Sequence, residues 1–547
     1  MSRRIYNILF HSHTISGIII SALLYVIFFT GSISFLRDEI NAWERNEPIE
    51  QGFFGTIDFD SVFQHLDQEH PLYGRDISLT QYYDERRVNT TISASKDTTL
   101  SKEDNKRSFF YLDLLTKKDN SYATNYSLGE FFYRLHFFAQ LNFYGRSGYL
   151  LAGLVAFFFL FAIATGVLVH WKKIIPNFFV FRPGTKWKTI WTDAHVGLGI
   201  LGLPYQFMFA VTGAYLIIGY SLMLDPVKKF LFDGDQSKMA ATMNYEEETQ
   251  YEYTGEAVIT SISIQKYVNQ TLDKYEDLVL RSVEVYNYGD ESMHVKVTGH
   301  PAHKNKLLGS GFMIFNALTG EVVGEKDPYA TTSYMEGATN TILRLHFGDY
   351  GGYGMKLIYL VLGLVTCFVI LSGVMIWLVA RDKKHIDPRK RKFNAWLVHI
   401  YLAACLSMYP VTAFSFIMVK WLGTAELENR QAFIYDWFFW PWLFLSLFFI
   451  LFRNDRFTTK TSLVLGSALG FLVPVANGLV SDNWIWITLQ KGHHQIFIVD
   501  LFWLLLSLTS LFVLLKMKRK KSESKQPREK NSPASSKNKR AMKAEIS

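Results

Sequence analysis

Only two cysteines, Cys367 and Cys405, occur in 547 residues, and both fall inside apolar runs, so no disulfide framework can staple the polar parts of this chain. They read as small core residues rather than redox or metal groups. Charge is scarce as well: 19% of the residues are Asp, Glu, Lys or Arg while 49% are apolar, which excludes an ordinary soluble protein of this length. No Gly-x-Gly-x-x-Gly follows a strand pattern, and no connector on the basic side is long enough for a flavin or nicotinamide domain. No acidic or basic residue stands out at the middle of an apolar run, as an ion or proton relay through a membrane requires.

What is abundant is hydrophobic length. Forty-five Phe, 29 Tyr and 13 Trp suit lipid-facing and interfacial positions. A run of about 20 apolar residues crosses the hydrocarbon at about 1.5 Å per residue. Such runs lie near 14–36, 149–170, 196–219, 355–380, 395–419, 435–452, 462–480 and 495–516, making eight spans. The first follows Arg3 and Arg4 as a signal peptide does, but it is long and has no small-x-small cleavage site, so it reads as a retained span.

The net charge of +8 is explained by where it falls, without a nucleic-acid partner. Arg3 and Arg4, then Lys172, Lys173, Arg182, Lys186 and Lys188, then Arg381 through Lys392, and finally Lys516 through Lys521 all lie on one side of an eight-span chain. By the positive-inside rule both termini are cytoplasmic and the large polar segments are exported.

The expected fold class is an α-helical integral membrane protein of about eight spans with two exported α+β domains. Residues 1–36 hold the first span, 37–135 the first exported domain and 136–170 a segment with the second span. A connector at 171–194 leads to the third span at 195–220, the second exported domain at 221–345 and the fourth span within 346–380. After a basic connector at 381–394, four additional spans occupy 395–516, and 517–547 reads as a disordered basic tail. In the second domain Ser292 to Val297 alternates as a half-buried strand, and Gly311 to Phe315 and Asn316 to Val323 form two extended runs about a turn. Phe109 to Thr116 is a weaker counterpart in the first domain, and His294 reads as a solvated strand residue.

Histidine carries the chemistry, through a spacing that occurs twice. His13 lies 17 residues before Thr30-Gly31, and His195 lies 17 residues before Thr212-Gly213. Each exported segment then ends in the same four residues, Arg134-Leu135-His136-Phe137 and Arg344-Leu345-His346-Phe347. A neutral imidazole binds haem iron from either side of the ring plane, so pairing like with like gives an inner haem on His13 and His195 and an outer one on His136 and His346. His170, beside Trp171, and His399, in Trp396-Leu397-Val398-His399, compete for the inner site. His136 precedes the apolar run at Tyr149 by 13 residues. That is about 20 Å of helix, so reaching the bilayer requires the chain to bend back between Asn142 and Gly148. Gly17, Gly31, Gly166, Gly197, Gly199, Gly202, Gly213 and Gly373 permit close approach of a helix or a flat ring, and Pro204 predicts a kink in the third span. Tyr144, Tyr350, Tyr353 and Trp484 fit either an acceptor route or an interfacial belt.

On these residues, together with Ser372-Gly373 and the turn from Asn316 to Val323, the chain over roughly 5–380 resembles the PepSY-associated transmembrane family. That group includes bacterial inner-membrane reductases of siderophore-bound iron. The resemblance implies a four-helix core holding two b-type haems on His13, His136, His195 and His346, with PepSY-like periplasmic domains. It also implies electron transfer across the inner membrane to a periplasmic ferric chelate, the donor being a membrane quinol or a separate cytoplasmic reductase. The chain departs from the family at Ser372, which replaces a threonine, in the first domain's missing Thr-Gly turn, and in the spans after residue 390, which would supply a third haem position at His399, a quinone site or a partner surface. Two other classes stand beside this reading: a non-enzymatic protein whose exported domains bind a peptidase or envelope partner, and a transporter.

Overall fold

The computed structural model describes residues 1–523 except 51, 98, 102–104, 179, 181, 183–186, 236–237, 240–250, 260 and 424–426. Lys186 and the tail after Glu523 lie outside the described residues.

The chain folds as two similar halves followed by four more helices. In the first half α1, Arg3–Ser34, opens on Ser2, whose hydroxyl accepts from the Ile5 N–H. The short α2, Arg37–Arg45, and α3, Phe59–Glu69, precede strands β1 (Ile77–Thr80), β2 (Arg87–Ile92), β3 (Ser108–Asp113) and β4 (Asp119–Asn120). Then come α4, Leu128–His136, and the long α5, Ser147–His170. The second half begins with a broken span, α6 (Trp187–Leu201) and α7 (Leu203–Ala214), bent by 68°. Pro204 sits in the first turn of α7, where its missing N–H costs nothing and the helix restarts at a new angle, so the predicted kink is a full break. After α8, Leu224–Leu231, and α9, Ile264–Lys274, come β5 (Leu278–Tyr286), β6 (His294–Pro301), β7 (Gly311–Asn316) and β8 (Val322–Lys326). The half closes with α10, Tyr334–Phe347, and α11, Gly352–Arg381. The last four long helices are α12 (Pro388–Leu422), α13 (Arg430–Phe452), α14 (Asp455–Ser481) and α15 (His494–Glu523), with a short helix at Ile485–Gln490 before the last. Among the described residues seven helices are long and apolar enough to cross a membrane, or eight if the bent pair counts as one span.

The two polar segments share one sheet instead of standing as separate domains. Its order is β4-β3-β2-β1-β5-β6-β7-β8, two helix-plus-meander units joined edge to edge. The seam pairs Ile77 with Val285 and Leu79 with Val283, antiparallel, and all four side chains are fully buried, so separating the units would expose apolar edges. Phe63 and Leu66 of α3 enter the same core as Val268 and Tyr267 of α9. The antiparallel seam relates the halves by a pseudo-twofold axis. His294 is buried, not solvated: its ring stacks 3.6 Å from Tyr251 and its Nδ1–H donates to Ser292 O at 2.7 Å.

The reversal after His136 is built from backbone that few residues tolerate. Phe138 and Gly145 adopt φ of 58° and 59°. A Cβ on Gly148 would sit 2.0 Å from Phe138 O, so only glycine fits there. Asn142 Oδ1 accepts from the Gly148 and Tyr149 N–H groups and starts α5. The chain therefore doubles back, and His136 reaches Ile27 O, seven residues inside the end of α1.

The final four helices dock on α2 and α4 through buried polar groups. Glu44 accepts from Arg430 at 2.9 Å and from the Leu128 N–H at 2.8 Å. Trp43 Nε1–H donates to Asp500 at 2.8 Å, and Lys420 donates to Trp43 O at 2.6 Å. Asp500 and Lys420, near the ends of α15 and α12, are both buried, each satisfied by neutral partners.

Candidate functional site

Four histidines are held by the same device. His13 Nδ1–H donates to Ala162 O at 2.8 Å, His136 to Ile27 O at 2.8 Å, and His195 to Val369 O at 2.9 Å. Each accepting carbonyl lies four residues before a glycine: Gly166, Gly31 and Gly373. The fourth histidine, His346, uses Thr212 Oγ1 at 2.9 Å, beside Gly213. Thr212 spends its own hydrogen on Met208 O, so its oxygen is the acceptor. The glycine lets the ring lie against the helix: a Cβ would stand 2.5 Å from the His136 ring at Gly31, 3.0 Å from His13 at Gly166, 3.2 Å from His195 at Gly373 and 3.9 Å from His346 at Gly213. The hydroxyl before each glycine is folded back onto its own helix, as Thr30, Thr165 and Ser372 also show.

All four clasps close within one half, and each ring then faces a ring of the other half. His13 and His195 have centroids 6.3 Å apart, and His136 and His346 6.1 Å. With Nδ1 bonded to an acceptor, the free atom of each ring is Nε2, fixed as the unprotonated nitrogen. A metal–imidazole bond of about 2 Å plus about 1.2 Å to the ring centre places two opposed ligand rings about 6.4 Å apart. Both pairs match this spacing. Among the described residues no group of three or more His, Cys, Asp or Glu side chains could hold a metal ion.

The pairs lie near opposite ends of the four-span core. Along α1, His13 and the carbonyl that holds His136 are 14 residues apart, about 21 Å of a hydrocarbon layer about 30 Å thick. Aromatic rings run inward from the outer pair: Phe209 is 5.1 Å from His346 and 4.5 Å from Tyr205, and Phe28 is 6.4 Å from Tyr205 and 5.3 Å from Phe159.

The structure brings His13, His136, His195 and His346 together as two pairs and leaves the other candidates outside them. His170 ends α5 near His195 and belongs to neither pair. His399 has both nitrogens engaged, Nδ1 with Asp455 at 2.6 Å and Nε2 with Phe449 O at 2.9 Å, and ties α12 to its neighbours. Cys367 and Cys405 are buried free thiols. Tyr350 bonds Tyr359 at 3.0 Å, Tyr144 is exposed, and Trp484 stacks on Trp486. Thr165-Gly166 is the clasp the sequence reading missed. Its signal was present, a hydroxyl residue followed by glycine inside an apolar run, as at the other three sites.

These features define a multi-spanning membrane protein in two pseudosymmetric halves with histidines paired between them. The chain belongs to the family described as the PepSY-associated TM region, which matches residues 10–380, both halves but not α12–α15. No curated protein matches the chain.

Proposed function

We propose that the protein carries electrons across a bacterial inner membrane through two b-type haems and reduces a periplasmic acceptor, a ferric siderophore or another ferric chelate. The observation that carries this reading is the doubled clasp: two facing imidazole pairs, every Nδ1 tied down, at the spacing of opposed metal ligands. His13 and His195 would hold the inner haem, His136 and His346 the outer. When bound, each haem supplies a one-electron iron couple.

The chain's own residues orient, insulate and admit. The Nδ1–H bonds fix each ring's rotation and strengthen Nε2 as a donor. The four glycines keep side-chain bulk away from the rings. Phe28, Phe159, Tyr205 and Phe209 exclude water between the levels. With the basic connectors cytoplasmic, the inner pair faces a membrane quinol or a separate cytoplasmic reductase, and the sheet faces the acceptor. His399, with its two hydrogen bonds, is a helix tie and not a third ligand.

An absorption spectrum of the purified protein tests this. Two dithionite-reducible b-type haems per chain are expected, and a colourless, folded preparation would sink the proposal. Reoxidation of the reduced protein by ferric siderophores, against other acceptors, then tests the substrate class.

A further inference from the structure

At the end of α11 remote from the sheet, the joint between α11 and α12 carries a cavity of about 460 Å³ lined by Arg381, Ile386, Arg389, Lys390, Phe393 and Asn394. The histidine pairs make no use of it. The connector from 381 to 394 holds seven Lys and Arg against two Asp, and both acids are spent elsewhere. Asp382 accepts from Arg391 at 2.7 Å, and Asp387 caps α12 by accepting from the Arg389 N–H at 2.7 Å. Arg381 is fixed by its own helix, 4.5 Å over the Trp377 ring and donating to Trp377 O at 3.4 Å.

Among the described residues none of the three lining cations, Arg381, Arg389 and Lys390, makes an ion pair. The basic connector at 171–194 differs, because there Arg182 donates twice to the Asp193 carboxylate, at 2.7 and 3.0 Å. The positive-inside rule accounts for the sign of both connectors. It does not account for three unneutralised cations around one cavity, which call for an anion.

The surface beside the cavity gives that anion an apolar tail. Phe393, Trp396 and Leu397 are all exposed, and their i, i+3, i+4 spacing puts them on one face of α12 that runs from the cavity into the span. A soluble phosphate would use the cations and leave this stripe bare. A phospholipid uses both, its phosphodiester oxygens accepting from the three cations while an acyl chain lies along the stripe. The volume falls within the roughly 300–1,000 Å³ of built ligand sites, and basic pockets between spans are places where anionic headgroups lodge.

We propose that this cavity binds one anionic phospholipid by its headgroup. The family match ends at residue 380, so a headgroup that bridges the last turn of α11 and the first turns of α12 ties the shared core to the additional helices from the lipid side. The leaflet follows from the topology given by the basic connectors, while the binding is independent of the haems.

Native mass spectrometry of the full-length protein, delipidated in a neutral detergent and titrated with dioleoylphosphatidylglycerol, tests the site. One lipid per chain is expected to bind about tenfold or more tighter than further copies, and than dioleoylphosphatidylcholine, whose choline cancels the phosphate charge. The double variant Arg389→Gln/Lys390→Gln should weaken that first lipid by about tenfold. Lys383→Gln/Lys384→Gln removes the same charge from the connector outside the cavity lining and should change it by less than about threefold. All four side chains are exposed, so both variants should fold. Equal losses in the two variants would reduce the binding to surface charge and overturn the site, as would equal affinity for the two lipids or no preferred first lipid. Displacement of the lipid by millimolar inorganic phosphate would mark a soluble-anion site and overturn the lipid assignment.

Discussion

His136 and His346 close matching clasps from helices of opposite character. α4 buries six of its nine residues, whereas α10 buries none of its fourteen. Phe131 and Phe132 of α4 pack on Phe438 of α13 at 4.8 and 5.8 Å, and the buried Glu44–Arg430 pair ties the start of α4 to the same helix. Nothing equivalent covers α10 among the described residues, where Arg344 instead makes a partly exposed ion pair with Asp349. Both rings are nevertheless held through Nδ1 beside a Thr-Gly pair, His136 by Ile27 O and His346 by Thr212 Oγ1. The clasp is therefore a local device that works with or without a scaffold over its helix: the extra helices cover α4 and not α10, while α12 also packs on α11 through Val374, Val398 and Leu402. The family match ends at residue 380, so the brace lies outside the shared region.

The largest effect is expected from the ligand positions themselves. His346→Ala and His136→Ala should each remove the outer haem, about half of the reduced absorbance, and leave the inner one. Retention of both haems in either variant would break the pairing. Next comes the brace. Arg430→Ala removes the nearer cation from buried Glu44, leaving Arg45 at 3.7 Å, and should cost up to about 3–5 kcal/mol, read as a lower unfolding midpoint, while Arg344→Ala should cost about 0–1 kcal/mol. Equal losses would mean that the halves are supported alike.

A smaller effect separates the two outer glycines. Gly31→Ala places a methyl 2.5 Å from the His136 ring, and Gly213→Ala places one 3.9 Å from His346, an ordinary contact. The first should perturb the outer haem spectrum and the second should leave it unchanged. Smallest is a pH term confined to the second half. Burial, with Arg281 adjacent, lowers His300 to about 4, and its Nε2 accepts from Arg281 at 2.9 Å. Because the unfolded chain takes up this proton first, near pH 6.5, the stabilisation is complete above that value and is lost as pH falls toward 4. Denaturation midpoints measured across this window should fall less steeply in His300→Gln.

Local signals were legible in the sequence and long-range ones were not. Span lengths, the break at Pro204 and the placement of His13, His136, His195 and His346 follow from hydrophobic runs and from a spacing that repeats. The reversal after His136 was implied by Gly145 and Gly148, since a straight helix would have carried the ring out of the membrane. The shared sheet was hidden because its seam joins strands at 77–80 and 282–285, and no local pattern encodes a pairing across that distance. Lys420 and Asp500 escaped notice near the ends of long apolar runs, where a charge reads as interfacial until its neighbours are known. His399 looked like a ligand by its echo of His195, and only Asp455 and Phe449 O disclose its other use.

The confinement of each clasp to its own half sets an order of biogenesis. Once the ribosome has supplied residue 170, Ala162 O and Ile27 O are both available, and His13 and His136 can be seized before α6 exists. The nascent first half thus offers two oriented imidazoles, each awaiting its opposite. The second half sets His195 and His346 on its own Val369 O and Thr212 Oγ1 in the same way, so neither half needs the other to orient its rings.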